Sequence, residues 1–306
     1  MKTALLVDQH MHGAFGIDFN KAAVEEVIFV AKELLKHGIG GFFPTLVTDS
    51  VENIKRQVQV IKEASQNNRS DCADILGIHL EGIFINVEKK GIHNYEHFLP
   101  LTVENYQQIE DDFIKIVTLA PELDEGLVDY LNSKNVKVQA GHCTGGNLED
   151  CSGVTHIFNA MKGISHRGSS TALSALIDDG LYTEMIADGV HLSDEIIRLI
   201  FKSKPLNRII LISDALPITY SSKKAAVFAD EKIYYDGVKA TSANGTIAGS
   251  TTLLDKIVKI LGKKDLFSLQ LINNVYDYHN ISIDGEIEWD DEYNILKVRK
   301  GDYYAK

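Results

Sequence analysis

Short apolar runs rich in Val, Ile and Phe recur along the chain, separated by stretches of helical period. There are eight: TALLV, GGFFPTLV, ILGIHL, IKIVTL, VKVQA, VTHIF, EMIADGV and RIILI. Between the first two, NKAAVEEVIFVAKELLKHG sets Val24, Val27, Ile28, Ala31, Leu34 and Leu35 on one helical face, with Asn20 as the cap and Gly38 as the stop. SDEIIRLIFKS and TTLLDKIVKILG repeat that period on either side of the last run. Strands alternating with helices predict a parallel sheet, and eight of them in 306 residues predict an α/β fold, a closed (β/α)8 TIM-type barrel. A doubly wound open sheet is the alternative. Against it, GIGGFF and AGHCTGG lack the GxGxxG spacing, and GTIAGST lacks a P-loop lysine. The barrel is expected over residues 1–282. The stretch 221–246, with KIYYDGVKA and an ANG turn, reads as an inserted hairpin, and 283–306, with EYNILKV after an acidic turn, as a C-terminal hairpin.

Composition narrows the partners. The chain is 44% hydrophobic, enough for a large core, and its 31 basic against 43 acidic residues leave a net charge of -12. That balance offers no surface for nucleic acid or an anionic membrane, and an anionic substrate would need a few local cations. Cys72, Cys143 and Cys151 are odd in number and form no CxxC pair, which excludes a disulfide framework or zinc ribbon and points to a reducing, cytoplasmic setting. The five-residue apolar run before Asp8 is too short for a signal peptide, and no window approaches a membrane span.

Candidate chemistry gathers at the C-terminal ends of the runs, the face on which a barrel carries its active site. The first run leads into VDQHMHGAFGIDF, where His10 and His12 share one side of an extended strand. The third ends in His79 and Glu81, the fifth in His142, the sixth in His156 and Asn159, the seventh in Asp188 and His191, and the eighth in Asp214. Imidazole and carboxylate converging on one axis suit zinc, iron or manganese, as one or two ions. His79 is expected to point away from Glu81, towards the helix layer or a neighbouring strand, and is kept out of the ligand set. Cys143 is expected to face away from His142 as a buried thiol.

An ordered series of motifs now carries a family resemblance: DQHMHGAFGIDF, PTLVT, GIHLEGIFINVEKKGIH, TLAPE, AGHCTG, VTHIFNAM, HRG, ADGVHLS, ISDALP and GTIAGST, over residues 7 to about 255. It resembles the N-acetylglucosamine-6-phosphate deacetylases of the amidohydrolase superfamily, metal-dependent barrels that remove acetyl from an amino-sugar phosphate. The resemblance implies metal ligands at Glu81, His142 and His156, with His10 and His12 completing a two-metal site bridged by Glu81. It implies one or two divalent ions, zinc first, with iron or manganese as alternatives. Asp214 of ISDALP matches the catalytic aspartate that moves a proton from water to the departing amine, and His93 of KKGIH the group that polarises the carbonyl. Asn159, Ala160, Arg167 and His191 match the phosphate and sugar contacts, with the arginine reaching a neighbouring subunit and hence a homodimer.

Two departures bear on the substrate end. Ile83 stands where the family usually has proline, and HRGSS lacks the proline-glycine that commonly follows the arginine. The family's small β-domain draws strands from both chain ends, whereas here a short C-terminal hairpin is expected in its place. Two other readings stand beside glucosamine-6-phosphate deacetylation. One is action on the galactosamine epimer or another N-acyl compound; the other is a silent sugar-phosphate binding protein, disfavoured because a pure binder needs no base beside a metal.

Overall fold

The computed structural model describes residues 1–66 and 69–306. Eight strands, β1 (Leu6–Met11), β2 (Ile39–Leu46), β3 (Ile78–Glu81), β4 (Ile114–Leu119), β5 (Lys137–Ala140), β6 (Gly153–Val154), β7 (Tyr182–Met185) and β8 (Ile209–Leu211), pair in parallel. Each neighbours the next in chain order. A sequential order has none of the reversal that a doubly wound sheet requires, so the sheet curls towards a barrel. All eight overlap the apolar runs of the sequence, β6 at Val154 alone and β7 at Glu184 and Met185. The first differs in extent: β1 continues through Asp8, Gln9 and His10, because both faces of a barrel strand are covered and polar side chains inside can pair with one another.

Between β8 and β1 there is no ladder, and the seam is fastened at its C-terminal end. Met11 bridges Ala215, the Asp214 N–H donates to the His10 carbonyl (2.9 Å), and the His12 N–H donates to that of Ala215 (2.8 Å). Asp8 Oδ1 accepts from the Ser213 N–H at 3.2 Å, holding the two strands together lower down.

The outer layer comprises α1 (Val24–Lys36), α2 (Val51–Ser65), α3 (Val103–Gln107), α4 (Leu127–Ser133), α5 (Thr171–Ile177), α6 (Asp194–Ser203), α7 (Leu254–Lys263) and α8 (Gln270–His279). Helix α8 covers the seam, with Tyr276 donating to the Leu5 carbonyl (2.8 Å) and Asn274 Nδ2 to that of Ile209 (2.6 Å). On α1 the expected face is largely buried, Val27, Ala31, Leu34 and Leu35 among it. Val27, Leu34 and Leu35 each contribute about 1.5–3 kcal/mol. The cap is not Asn20. Helix α1 starts at Val24 after Ala23, whose N–H donates to the Glu26 carboxylate (2.9 Å). Asn20 instead brackets the Val47 peptide, donating to its O and accepting from its N, both at 2.9 Å. Gly38 ends the helix as expected, at φ 75°.

The stretch after β8 is a four-stranded antiparallel sheet (Ala225–Phe228, Glu231–Tyr235, Ala240–Ser242, Ile247–Gly249), larger than the single hairpin expected. Its apolar side, with Phe228, Ile233 and Ala240, packs on Val47, Ile92, Leu216 and Ile218. That sheet therefore forms a wall over one side of the barrel mouth. The C-terminal hairpin pairs Gly285–Trp289 with Ile295–Lys300 and is widened by Lys2–Thr3 and Tyr303–Tyr304 into four strands. Trp289 is 2% exposed and donates through Nε1 to Thr3 Oγ1 at 3.0 Å, tying the two ends of the chain together. Among the described residues no helix is long and apolar enough to cross a membrane.

Candidate metal centre

The strand ends deliver their side chains through strained turns. His142, His156 and Asp214 have φ of 48°, 30° and 51°. Left-handed backbone costs a non-glycine residue about 1–2 kcal/mol, so the surroundings must hold these three against their local preference. Ile83, a β-branched residue at φ 65°, is a further outlier. A proline could not take that φ, so the loop here follows a course closed to the usual family residue.

Glu81 is the hub. Its Oε2 lies 3.3 Å from His10 Nε2 and 3.1 Å from His12 Nε2, while its Oε1 lies 3.3 Å from His142 Nε2 and 2.8 Å from His156 Nε2. One carboxylate thus faces a pair of imidazoles with each oxygen. Asp214 Oδ1 stands beside the first pair, 3.5 Å from His10 Nε2 and 3.2 Å from His12 Nε2. All six of these side chains are buried.

Three of the imidazoles are oriented from behind. His10 Nδ1 donates to Glu184 Oε2 (3.1 Å), His12 Nδ1 to the Thr45 carbonyl (3.3 Å) and His142 Nδ1 to the Lys89 carbonyl (2.8 Å). Because these acceptors require a proton on Nδ1, Nε2 is the nitrogen that each ring turns towards Glu81 and can offer to a cation once its own proton has left. His10 Nε2 is buried without a hydrogen-bond partner, a cost that coordination to a cation removes. The residues therefore fit a metal. His10, His12 and Asp214 form one group whose ligand atoms lie within 4.8 Å of one another, and Glu81, His93 and His142 form a second. Four imidazoles and two carboxylates suit zinc, iron or manganese.

Burial alone would lower the His12 pKa, but hydrogen bonds to Asp214 and Glu81 outweigh it and hold the value up at about 9. His10, against the same burial, is carried well above its ordinary value by Glu81 and Glu184. Burial would raise Glu81, and the surrounding imidazoles, His10 foremost, bring it well below the carboxylate range. Asp214 also lies low, burial notwithstanding, through His12 and His10. Burial and the neighbouring His142 hold His93 well below the usual imidazole value, hence neutral.

His93 is held by Thr48, whose Oγ1 accepts from the Ile83 N–H (2.8 Å) and meets His93 Nδ1 at 2.7 Å. A Thr48 hydroxyl that donates to Nδ1 leaves the ring's proton on Nε2, which lies 3.8 Å from Glu81.

A cavity of about 240 Å³ opens over these groups. Asn159, Ala160 and His191 line it, with Ile92, Phe228 and Gly249 on another side. The Phe228 ring centre is 5.0 Å from that of His12. His191 is steered by Asp188, whose Oδ2 accepts from Nδ1 at 2.9 Å. Arg167 is exposed and lies outside the cavity of its own chain.

Two residues correct the sequence reading. His79 lies two positions from Glu81, hence on the same side, and its ring is inside the barrel beneath the centre. Its Nδ1 donates to the Gln9 carbonyl (3.0 Å) and its Nε2 meets Thr118 Oγ1 (2.7 Å), so both nitrogens are engaged. Glu184, fully buried in β7 against His10, has no role in that reading. Its signal was a carboxylate at the head of the apolar run EMIADGV, which must be paired if buried. Cys143 faces away as expected, buried against Thr171.

A sequential parallel barrel with histidines and carboxylates converging at the C-terminal ends of its strands defines the amidohydrolase type. No protein-family model matches the chain. It is 32% identical over 259 residues to an N-acetylglucosamine-6-phosphate deacetylase from Bacillus subtilis, covering 80% of this chain and 65% of that protein. A Caenorhabditis elegans protein of the same name is 31% identical over 284 residues, covering 84% of this chain and 67% of that one. The chain thus spans about two thirds of the length of these relatives. Among solved structures, the N-acetylglucosamine-6-phosphate deacetylase from Thermotoga maritima superposes with a TM-score of 0.91 at 25% identity, over all of this chain and 88% of that one. The chain belongs to the N-acetylglucosamine-6-phosphate deacetylase family of the amidohydrolase superfamily.

Proposed function

We propose that the protein hydrolyses the acetamide of N-acetylglucosamine-6-phosphate to glucosamine-6-phosphate and acetate. The observation that carries this reading is Glu81 placed with each oxygen towards a pair of imidazoles, with Asp214 alongside. His10, His12, Glu81, His142 and His156 would hold one or two divalent ions, zinc before iron or manganese. Such ions lower the pKa of water from ~15.7 towards ~7 and polarise the amide carbonyl.

The chain's own groups supply the rest. Asp214 accepts the proton that water gives up as it adds to the acetyl carbon, and returns it to the nitrogen as the C–N bond breaks. Against burial, His12 and His10 hold the Asp214 carboxyl below its ordinary value, so it is ionised and able to accept a proton. His93, neutral and protonated on Nε2, donates to the oxygen that becomes negative during addition. Phe228 and Ile92 exclude bulk water from one side of the cavity, which strengthens these interactions.

Asn159, the Ala160 backbone and His191 face the sugar phosphate, and Arg167, exposed on its loop, meets the phosphate of a neighbouring subunit in a homodimer. The three free cysteines agree with a reducing, cytoplasmic setting. The test is acetate release from N-acetylglucosamine-6-phosphate and its galactosamine epimer by metal-loaded protein, with Asp214→Asn in parallel. Release from the glucosamine substrate, lost in the variant, supports the reading. Release from the galactosamine epimer alone moves it to that sugar, and no release from either with metal bound overturns it.

A further inference from the structure

Beneath the candidate centre lies a chain of buried polar groups that the reaction does not use. Glu184, 1% exposed, accepts from His10 Nδ1 through Oε2 at 3.1 Å and from Gln9 Nε2 through Oε1 at 2.6 Å. The same Oε2 receives the His156 N–H at 3.3 Å. Gln9 Oε1 in turn faces His279 Nε2 at 2.9 Å, and His279 stacks on Phe43 with ring centres 4.4 Å apart. His279 is the last residue of α8, the helix that covers the seam between β8 and β1. A buried carboxylate is costly unless it is hydrogen-bonded on both oxygens, and here each oxygen is occupied by a group leading somewhere useful.

We infer that Glu184 is the positioning residue of the centre, fixing the tautomer and ring angle of His10, and that Gln9 and His279 anchor it to α8. The hydrogen-bond series is His279, Gln9, Glu184, His10, running from the partly exposed outer layer to the ligand nitrogens. It places a constraint on metal affinity in a helix with no contact to the cavity. Since carboxylates behind ligating histidines commonly change metal affinity 10–100-fold, the effect is large enough to read directly. The inference rests on the metal-centre reading above, and its test uses metal binding alone, without substrate.

Metal-free protein is titrated with zinc against a chromophoric chelator for wild type, Glu184→Gln, Glu184→Leu and His279→Leu, with circular dichroism as the check on folding. Glu184→Leu should bind zinc about 10–100-fold more weakly. Glu184→Gln, which keeps an acceptor for His10 Nδ1, should recover most of that loss, as a purely space-filling role would not require. His279→Leu, at a partly exposed position stacked on Phe43, should weaken binding several-fold with an unchanged circular dichroism spectrum. Unchanged zinc affinity in His279→Leu overturns the anchoring to α8, and unchanged affinity in folded Glu184→Leu overturns the positioning role. If Glu184→Leu does not fold, an affinity in Glu184→Gln as low as that of His10→Ala overturns it instead. Wild type that binds no zinc, iron or manganese defeats the metal-centre reading itself, a different outcome.

Discussion

Metal binding to this protein should be strongly coupled to protons, and the size of the coupling follows from His12. With its pKa held at about 9 by Asp214 and Glu81, the metal-free ring is protonated at neutral pH. A cation needs the Nε2 lone pair, so the proton must leave first. Deprotonation at pH 7 of a group with a pKa of about 9 costs about 3 kcal/mol, which is a loss of about 100-fold in apparent affinity. Between pH 6 and 8 the apparent affinity should therefore rise about tenfold per pH unit from His12 alone. His10, also raised well above its ordinary value, steepens the dependence. Titration calorimetry at pH 7 in two buffers of different ionisation enthalpy counts the protons released, and at least one per ion is expected. His12→Asn removes one such proton and should lower the count by about one. A binding enthalpy independent of buffer, or an affinity flat from pH 6 to 8, refutes the reasoning.

Gly82 sits at φ 109°, where an added Cβ would lie 2.1 Å from Thr48 Oγ1 and 2.7 Å from His93 Nδ1. Gly82→Ala should displace the Thr48–His93 pair and cost on the order of 100-fold in turnover, and near-normal rates would remove His93 from the chemistry. Burial pushes the Asp8 carboxyl from 3.8 up to about 7, so the folded state holds the proton more tightly than the unfolded one. The stability associated with neutral Asp8 is complete below about 3.8 and lost as pH rises through about 7. Asp8→Asn keeps the acceptor for Ser213 and should stabilise the protein by up to about 4 kcal/mol at pH 8 but little at pH 4, measured by urea unfolding; equal effects at both pH values would contradict this. Trp289→Ala, which removes a buried ring and its bond to Thr3, should cost about 3–5 kcal/mol with zinc stoichiometry unchanged. A cost below about 1 kcal/mol would mean that the end-to-end sheet contributes little.

The sequence by itself determined the strand count, the barrel and the residue types at the candidate centre. Strand and helix periods are local properties, and the residues at strand ends are recognisable wherever the strands pair in order. It also placed His10 and His12 on one side, since alternation in a strand depends only on neighbouring peptides. The tertiary structure alone decided the division of labour at Glu81, because which imidazoles face Oε1 and which face Oε2 depends on four strands meeting around an axis. It likewise decided the role of Glu184, whose partners Gln9 and His10 lie 175 and 174 residues away in the chain. Of the four-stranded sheet over the mouth only a hairpin was legible locally, because its strands are three to five residues long, too short for alternation to stand out from turns. Asn20 is a similar case: an asparagine before a helical run is a sound cap by its chemistry, but the Val47 peptide, brought close by β2, engages both the oxygen and the nitrogen of its amide.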